Sequence, residues 1–273
     1  MRKIICLLFA SVFISTVNAQ NAKAHKSDII KIAPAGKVTP GSARQDFFPV
    51  LYSMEMPAPG AETYRSYLLD LKEKLYTNKT YLGYTHFKSD AAAPVPEVLS
   101  AFEGNPMGVS VPNDNDLAIS NDGIIISVIN TSIYMFDQSG NTLKSLSLSS
   151  MADTLGLIGS KFDPKVMYDP VHDRFIIVFL NLVFGDEAAN THIIVAFSQT
   201  ADPLADWNLY VLPGNPKDND TWTDFPMMAI TQSELFITGN LIIPGEPWQT
   251  GFSETLIWQM SLNRGYAGDT LYA

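Results

Sequence analysis

The sequence predicts an all-β protein of the β-propeller class, with about three four-stranded blades, the last incomplete, behind a short N-terminal helical and linker segment. Three observations carry this. From Pro112 onward, short runs rich in Val, Ile, Tyr, Phe and Thr are separated by Gly, Asn, Asp and Pro, the texture of strands and turns. The order of runs also repeats: "DLAIS", "DPKVMY" and "DFPMMAI" place Asp116, Asp163 and Asp224 three residues before Ile119, Val166 and Met227. Each leads through a short turn into a strongly apolar strand. Finally, the equivalent acids recur at intervals of 47 and 61 residues, irregular but within what four-stranded units with variable loops allow.

Taken in chain order, Arg2 and Lys3, the apolar "IICLLFASVFI" and the small-residue pattern "VNAQ" read as a signal peptide over residues 1–19, cut after Ala19. A secreted or cell-surface protein is expected. The only cysteine, Cys6, falls inside that segment, so the mature chain is expected to lack disulfides, thiolate metal sites and a cysteine nucleophile. From Gln20 to about Pro40 the text is polar and carries Lys23, Lys26, Lys31 and Lys37; residues 20–60 read as a mobile leader. Within 61–112, "GAETYRSYLLDLKEKLYTN" spaces Tyr64, Tyr67, Leu68, Leu71 and Leu75 along one helical face, and the Ala- and Pro-rich text that follows reads as a linker.

Residues 113–273 form the expected partial propeller, with blades at about 113–150, 160–213 and 222–273. The first turns are "NDG", "DPVHD" and "TQSE"; the second strands are "IIISVI", "RFIIVFLNLV" and "LFITGNLII". "TLKSLSLS" and "WNLYVLP" supply fourth strands to the first two blades, and the third would begin its own at "DTLYA". A ring needs about four to eight blades. The expectation is therefore a piece of a longer product, with association between copies as the alternative.

Composition narrows the function. Apolar residues make up 46% of the chain and charged residues 17%, the balance of a globular core. A net charge of -10 argues against nucleic-acid binding through phosphate neutralisation, which needs clustered Lys and Arg, and makes a cation the sharper partner. No run after the signal segment is long and apolar enough to span a bilayer, so no transmembrane segment is expected in the mature chain.

The segments "DPKVMYDPVHDRFIIVFL", "AFSQTADPLADWNLYVLP" and "WTDFPMMAITQSELFITGN" resemble a recurrent set in large secreted bacterial β-propeller proteins of mostly unknown function. In that family the motifs read roughly D-P-x-V-x-Y-D…D-R-W, S-x-T-x-D-P-x-x-x-W-x-x-Y and D-Y-P-K. The resemblance covers roughly residues 113–266 and implies the fold, not an activity. Phe175 replaces the usual Trp, and Met227 stands where Lys or Arg is common.

Blade topology places Asp116, Asp163 and Asp224 around one channel mouth, with the loops "FGDEAAN" and "PGEPWQTG" on the same face and Asp169 and Asp173 on the other. Entrance acids commonly accept backbone N–H bonds and fix the approach of a strand. The sharper alternative is a Ca²⁺ held by Asp116, Asp163 and Asp224, since Ca²⁺ takes six to eight oxygens. Trp222, Glu246 and Trp248 are the candidate ligand-binding residues, an aromatic beside a carboxylate suiting a sugar or a peptide; each Trp would otherwise plug its own loop. There is no nucleophile elbow, zinc helix or Walker loop.

The resulting expectation is an exported, non-catalytic binding or scaffold module for a glycan or protein ligand, with Ca²⁺ the one candidate cofactor. A propeller glycoside hydrolase using Asp163, Asp224 or Glu246 is the main alternative, and a structural adhesin array the third. One observable separates the first two. A carboxyl with a raised pKa beside a second in a pocket marks the enzyme, whereas a solvated ring of acids marks cation or partner binding.

Overall fold

The computed structural model describes residues 29–45, 61–77, 98, 100–106, 112–246 and 248–273. The signal-peptide reading, Cys6 and most of the linker lie outside the described residues, as does the side chain of Trp248.

The fold is mostly β. Strands β1 (Lys31–Ile32) and β2 (Gly36–Val38) precede helix α1 (Ala61–Thr77). Strands β3 (Asp116–Ile119), β4 (Ile125–Ile129), β5 (Ser132–Phe136) and β6 (Thr142–Ser147) form a first antiparallel sheet in sequence order. After the one-turn helix α2 (Leu148–Met151), strands β7 (Ser160–Asp169), β8 (Arg174–Leu182), β9 (Thr191–Ser198) and β10 (Trp207–Pro213) form the second. Strands β11 (Trp222–Ile230), β12 (Glu234–Ile242) and β13 (Phe252–Ser261) form the third, with the short helix α3 (Trp248–Gly251) ahead of β13. Helix α4 (Leu262–Ala267) and strand β14 (Leu271–Tyr272) follow.

Two segments differ from the sequence reading. Within the expected mobile leader, β2 adds a fifth strand to the outer edge of β10, Val38 opposite Trp207 and Gly36 opposite Leu209. Strand β1 pairs with β14, and Ile32 and Val38 are buried. Single apolar residues directly after lysines are a weak signal in a polar stretch, which is why the pairing was not legible. The expected fourth strand of the last unit, β14, likewise joins β1 in a separate two-stranded sheet instead of β13. In α1 the described side chains, residues 66–76, are exposed, with a Lys74–Asp70 ion pair one turn apart.

The core explains why the second strand of the middle unit is apolar from Phe175 to Leu180. Side chains alternate between the faces of a strand. Along β8, Phe175, Ile177 and Phe179 enter a cluster with Ile126, Val128, Met135 and Leu146 of the first sheet. Their neighbours Ile176, Val178 and Leu180 enter another with Leu235, Ile237, Trp258 and Met260 of the third. The middle sheet is covered on both faces, so neither alternation phase is left for polar residues. In β12 only one phase is apolar and buried, and Phe236, Thr238 and Asn240 are half-buried.

Most of the recurrent motif residues have local structural work. Asp169 closes the β7–β8 turn by accepting the N–H groups of Val171 and His172, and Arg174 bonds the carbonyls of His172 and Asp173. The Tyr168 hydroxyl donates to Asp173. In "DPLADWNLY", Asp202 accepts the Leu204 N–H, the Trp207 indole donates to the Pro203 carbonyl at 2.9 Å, and the Tyr210 hydroxyl reaches the Asp269 carbonyl at 2.8 Å. These are corner and turn devices. Replacing Phe179 by Ala, buried completely between two sheets, is expected to cost about 3–5 kcal/mol, whereas Val171→Ala in the exposed turn changes stability by less than about 0.5 kcal/mol. Urea unfolding of the two variants checks this.

Candidate functional site

Each inner strand, β3, β7 and β11, enters its sheet through a bend. In β7 the pairing with β8 slips between Phe162 and Lys165, and in β11 the pairing with β12 slips between Asp224 and Met227. The extra residue at each slip takes a left-handed backbone: Asp163 at φ 51° and Phe225 at φ 50°, both just before a proline. Asp114 does the same at φ 40°, following Asn113, whose carbonyl accepts the Asn130 N–H. Geometrically equivalent positions are thus Asp114, Asp163 and Phe225. The sequence alignment on Asp116, Asp163 and Asp224 is offset by two residues in the first unit and by one in the third. Matching acid to acid ignored the bend, because an extra residue leaves no mark in composition.

The consequence falls on the expected acid ring. Asp116 does not join it: one oxygen accepts the Leu117 N–H, and the other accepts the Val166 N–H at 3.0 Å, tying β3 to β7. Asp163 and Asp224 do meet, their carboxyls within hydrogen-bond reach of each other across the second and third sheets. Asn130 links them to the first sheet. Its amide nitrogen donates to Asp114 at 2.8 Å and to the Pro112 carbonyl at 3.1 Å, while its oxygen accepts the Asp163 N–H at 2.6 Å. The Phe225 N–H beside them favours the ionised form of both carboxyls.

No cation offsets this charge among the described residues. Lys161, on the same strand, is buried and donates to the carbonyls of Leu157 at 2.6 Å and Gly159 at 3.1 Å; burial pulls its pKa down. Lys165 sits over the Phe225 ring, 5.3 Å from its centroid. Burial, then the charges of Asp224 and Asp114, push Asp163 up to about 7. Asp224 is raised as well, chiefly by burial, with the Phe225 N–H acting in the opposite direction. Below about pH 7 the pair therefore shares a proton between two oxygens.

A cleft of about 600 Å³ opens over the pair. Its walls include Phe162, Phe184 and Phe225, with Asp114, Asn130 and Lys161 completing the polar side. Phe184 is 72% and Phe225 47% exposed. These two aromatics were missed as ligand contacts in the sequence, although Phe184 opens the loop assigned to this face and Phe225 stands between Asp224 and Pro226. Trp222 instead packs edge-on against Phe162, with ring centroids 6.4 Å apart. Glu246 is exposed and accepts the Thr250 hydroxyl at 3.1 Å; neither it nor Trp222 lines the cleft.

Asp116, the third acid of the expected calcium site, stands apart from the other two. Two carboxyls converge without Asp116, and among the described residues no three His, Cys, Asp or Glu side chains gather as a metal site requires. Millimolar Ca²⁺ or a chelator is accordingly expected to move the unfolding midpoint by less than about 1 °C.

No protein-family model matches the chain, and no curated protein does. Among solved structures it is similar to a GH43 endo-arabinanase from Bacillus licheniformis, at 14% identity and a TM-score of 0.31, over 54% of this chain and 52% of that one. The chain thus spans about half the length of that enzyme, and a likeness of this size carries no argument about activity.

The raised Asp163 pKa has a definite consequence for stability. The folded state keeps a proton that the unfolded chain releases near 3.8, so this group's contribution is full below that value and is lost as pH rises to about 7. Asp163→Asn keeps a hydrogen-bond donor for Asp224 but cannot titrate. It is expected to flatten that slope and to raise stability near pH 8 by about 1–3 kcal/mol, measured by urea unfolding across the range.

Proposed function

We propose that this chain is an exported, non-catalytic binding or scaffold module of the β-propeller kind, and that it takes a glycan in the cleft over Asp163 and Asp224. One observation carries the reading: two exposed aromatic rings, Phe184 and Phe225, flank a half-protonated carboxyl pair in one cleft. Ring faces stack on the apolar face of a sugar, and a carboxyl pair sharing a proton can both accept from and donate to hydroxyls. Support for the propeller reading comes from the three sheets packed face to face in chain order, with inner strands β3, β7 and β11 running side by side. No helix among the described residues is long and apolar enough to cross a membrane.

The enzyme reading has one observation in its favour, the raised Asp163 pKa beside a second carboxyl. Against it stands the direct contact between the two groups. Glycoside cleavage places its carboxyls about 5–9.5 Å apart to admit the sugar, or the sugar and a water. A pair in hydrogen-bond contact leaves no such gap.

The test is a glycan array followed by calorimetric titration of the glycans retained. Phe184→Ala and Phe225→Ala, both at exposed positions, are expected to weaken binding at least about tenfold while leaving the fold intact. Retention of no glycan, or binding indifferent to both substitutions, contradicts the proposal and points to a protein partner. Hydrolysis of a retained glycan, lost in Asp163→Asn, would establish the enzyme instead.

A further inference from the structure

Asp163 and Asp224 belong to different sheets, and their contact is a polar connection between the entrances of β7 and β11. What surrounds it leaves few ways of holding two carboxyls together. From the first sheet, Asp114 adds negative charge and is bonded to Asn130, while both oxygens of Asp116 are committed to backbone N–H groups. On β7, Lys161 is turned to two carbonyls and Lys165 to the Phe225 ring. His192 on β9 lies beside Lys161, and burial, then that lysine, lower its pKa. Strands β8 and β12 carry Arg174 and Glu234 at their opposite ends, and Glu254 on β13 is paired with Lys217. In the Phe184 loop, Asp186 accepts from Asn190 and Glu187 from the Gly185 N–H. With every nearby cation engaged elsewhere, the proton is what joins the two acids.

We infer that the Asp163–Asp224 contact is a proton-operated clasp between the second and third sheets, closed while the carboxyls share a proton and released when both are ionised. Its moving part is the bend at 224–227. Phe225 there has a left-handed backbone, a conformation unfavourable for a bulky residue. Asp224 immediately precedes it in the same bend, so repulsion between two ionised carboxyls acts on the bend itself. Release lets the bend relax and moves the Phe225 ring, one wall of the cleft. Rising pH therefore loosens the mouth, and falling pH sets it. The clasp works the same way whatever ligand the cleft takes.

Amide hydrogen exchange on the purified chain tests this, with rates corrected for the intrinsic effect of pH. The peptide covering β11 is compared with that covering β8, which both neighbouring sheets bury. Between about pH 6 and pH 8 the corrected exchange at the β11 entrance is expected to rise about tenfold while β8 stays protected. Asp163→Asn and Asp224→Asn each replace the shared proton with a permanent amide donor, and either is expected to abolish the rise. Emission from Trp222, two residues before Asp224, gives a second readout of the same transition. A corrected rate independent of pH in the unmodified chain overturns the inference, as does an unchanged rise in either variant.

Discussion

Burial of the middle sheet on both faces is the constraint on which the rest of the structure depends. Strand β8 sends Phe175, Ile177 and Phe179 one way and Ile176, Val178 and Leu180 the other, so the two hydrophobic clusters share one backbone. Neither outer sheet can shift against the middle one without opening a cluster, and each fully buried aromatic or aliphatic side chain contributes roughly 1.5–3 kcal/mol to holding it. The same stacking brings β3, β7 and β11 side by side and aligns their entrance bends. The site is a by-product of that alignment: Asp163 and Asp224 meet because their sheets do.

Strand β7 carries an acid at each end, and the surroundings drive the two in opposite directions. Asp169, at the turn, is buried, which by itself raises its pKa; donors from His172, Tyr266 and the backbone of Val171 and His172 outweigh burial and hold it below the usual carboxylate range. It stabilises the fold above the ordinary Asp pKa, and that contribution is lost as pH falls. Asp163, at the entrance, is raised by burial and then by the acids it faces, and behaves oppositely. Donor count separates a structural aspartate from a poised one. The Tyr266 bond also ties the β7–β8 turn to α4, nearly a hundred residues later, which anchors the C-terminal helix to the middle sheet.

Much of this was legible in the sequence. Strand positions follow from the short apolar runs between turn residues, and the strongly apolar run that became β8 was among them. The pairing of β1 and β2 with distant strands was not, because strands of two and three residues carry no periodicity. At the site, the choice of Asp163 and Asp224 as residues that converge came from the repeated texture. Asp116 was drawn in by the same texture and falls out because of the bend, a feature set by backbone φ and not by residue type. Phe225 occupies the position that Asp114 and Asp163 hold in the other units, so aligning like with like hid it.

The claim that a shared proton joins the inner strands is tested most directly by following the side-chain carboxyl carbons of Asp163 and Asp224 by NMR through an acid-to-alkaline titration. The account predicts two coupled steps, with the upper one near 7 and sensed at both residues. Two independent titrations, both completed in the ordinary range for Asp near 3.9, would contradict it.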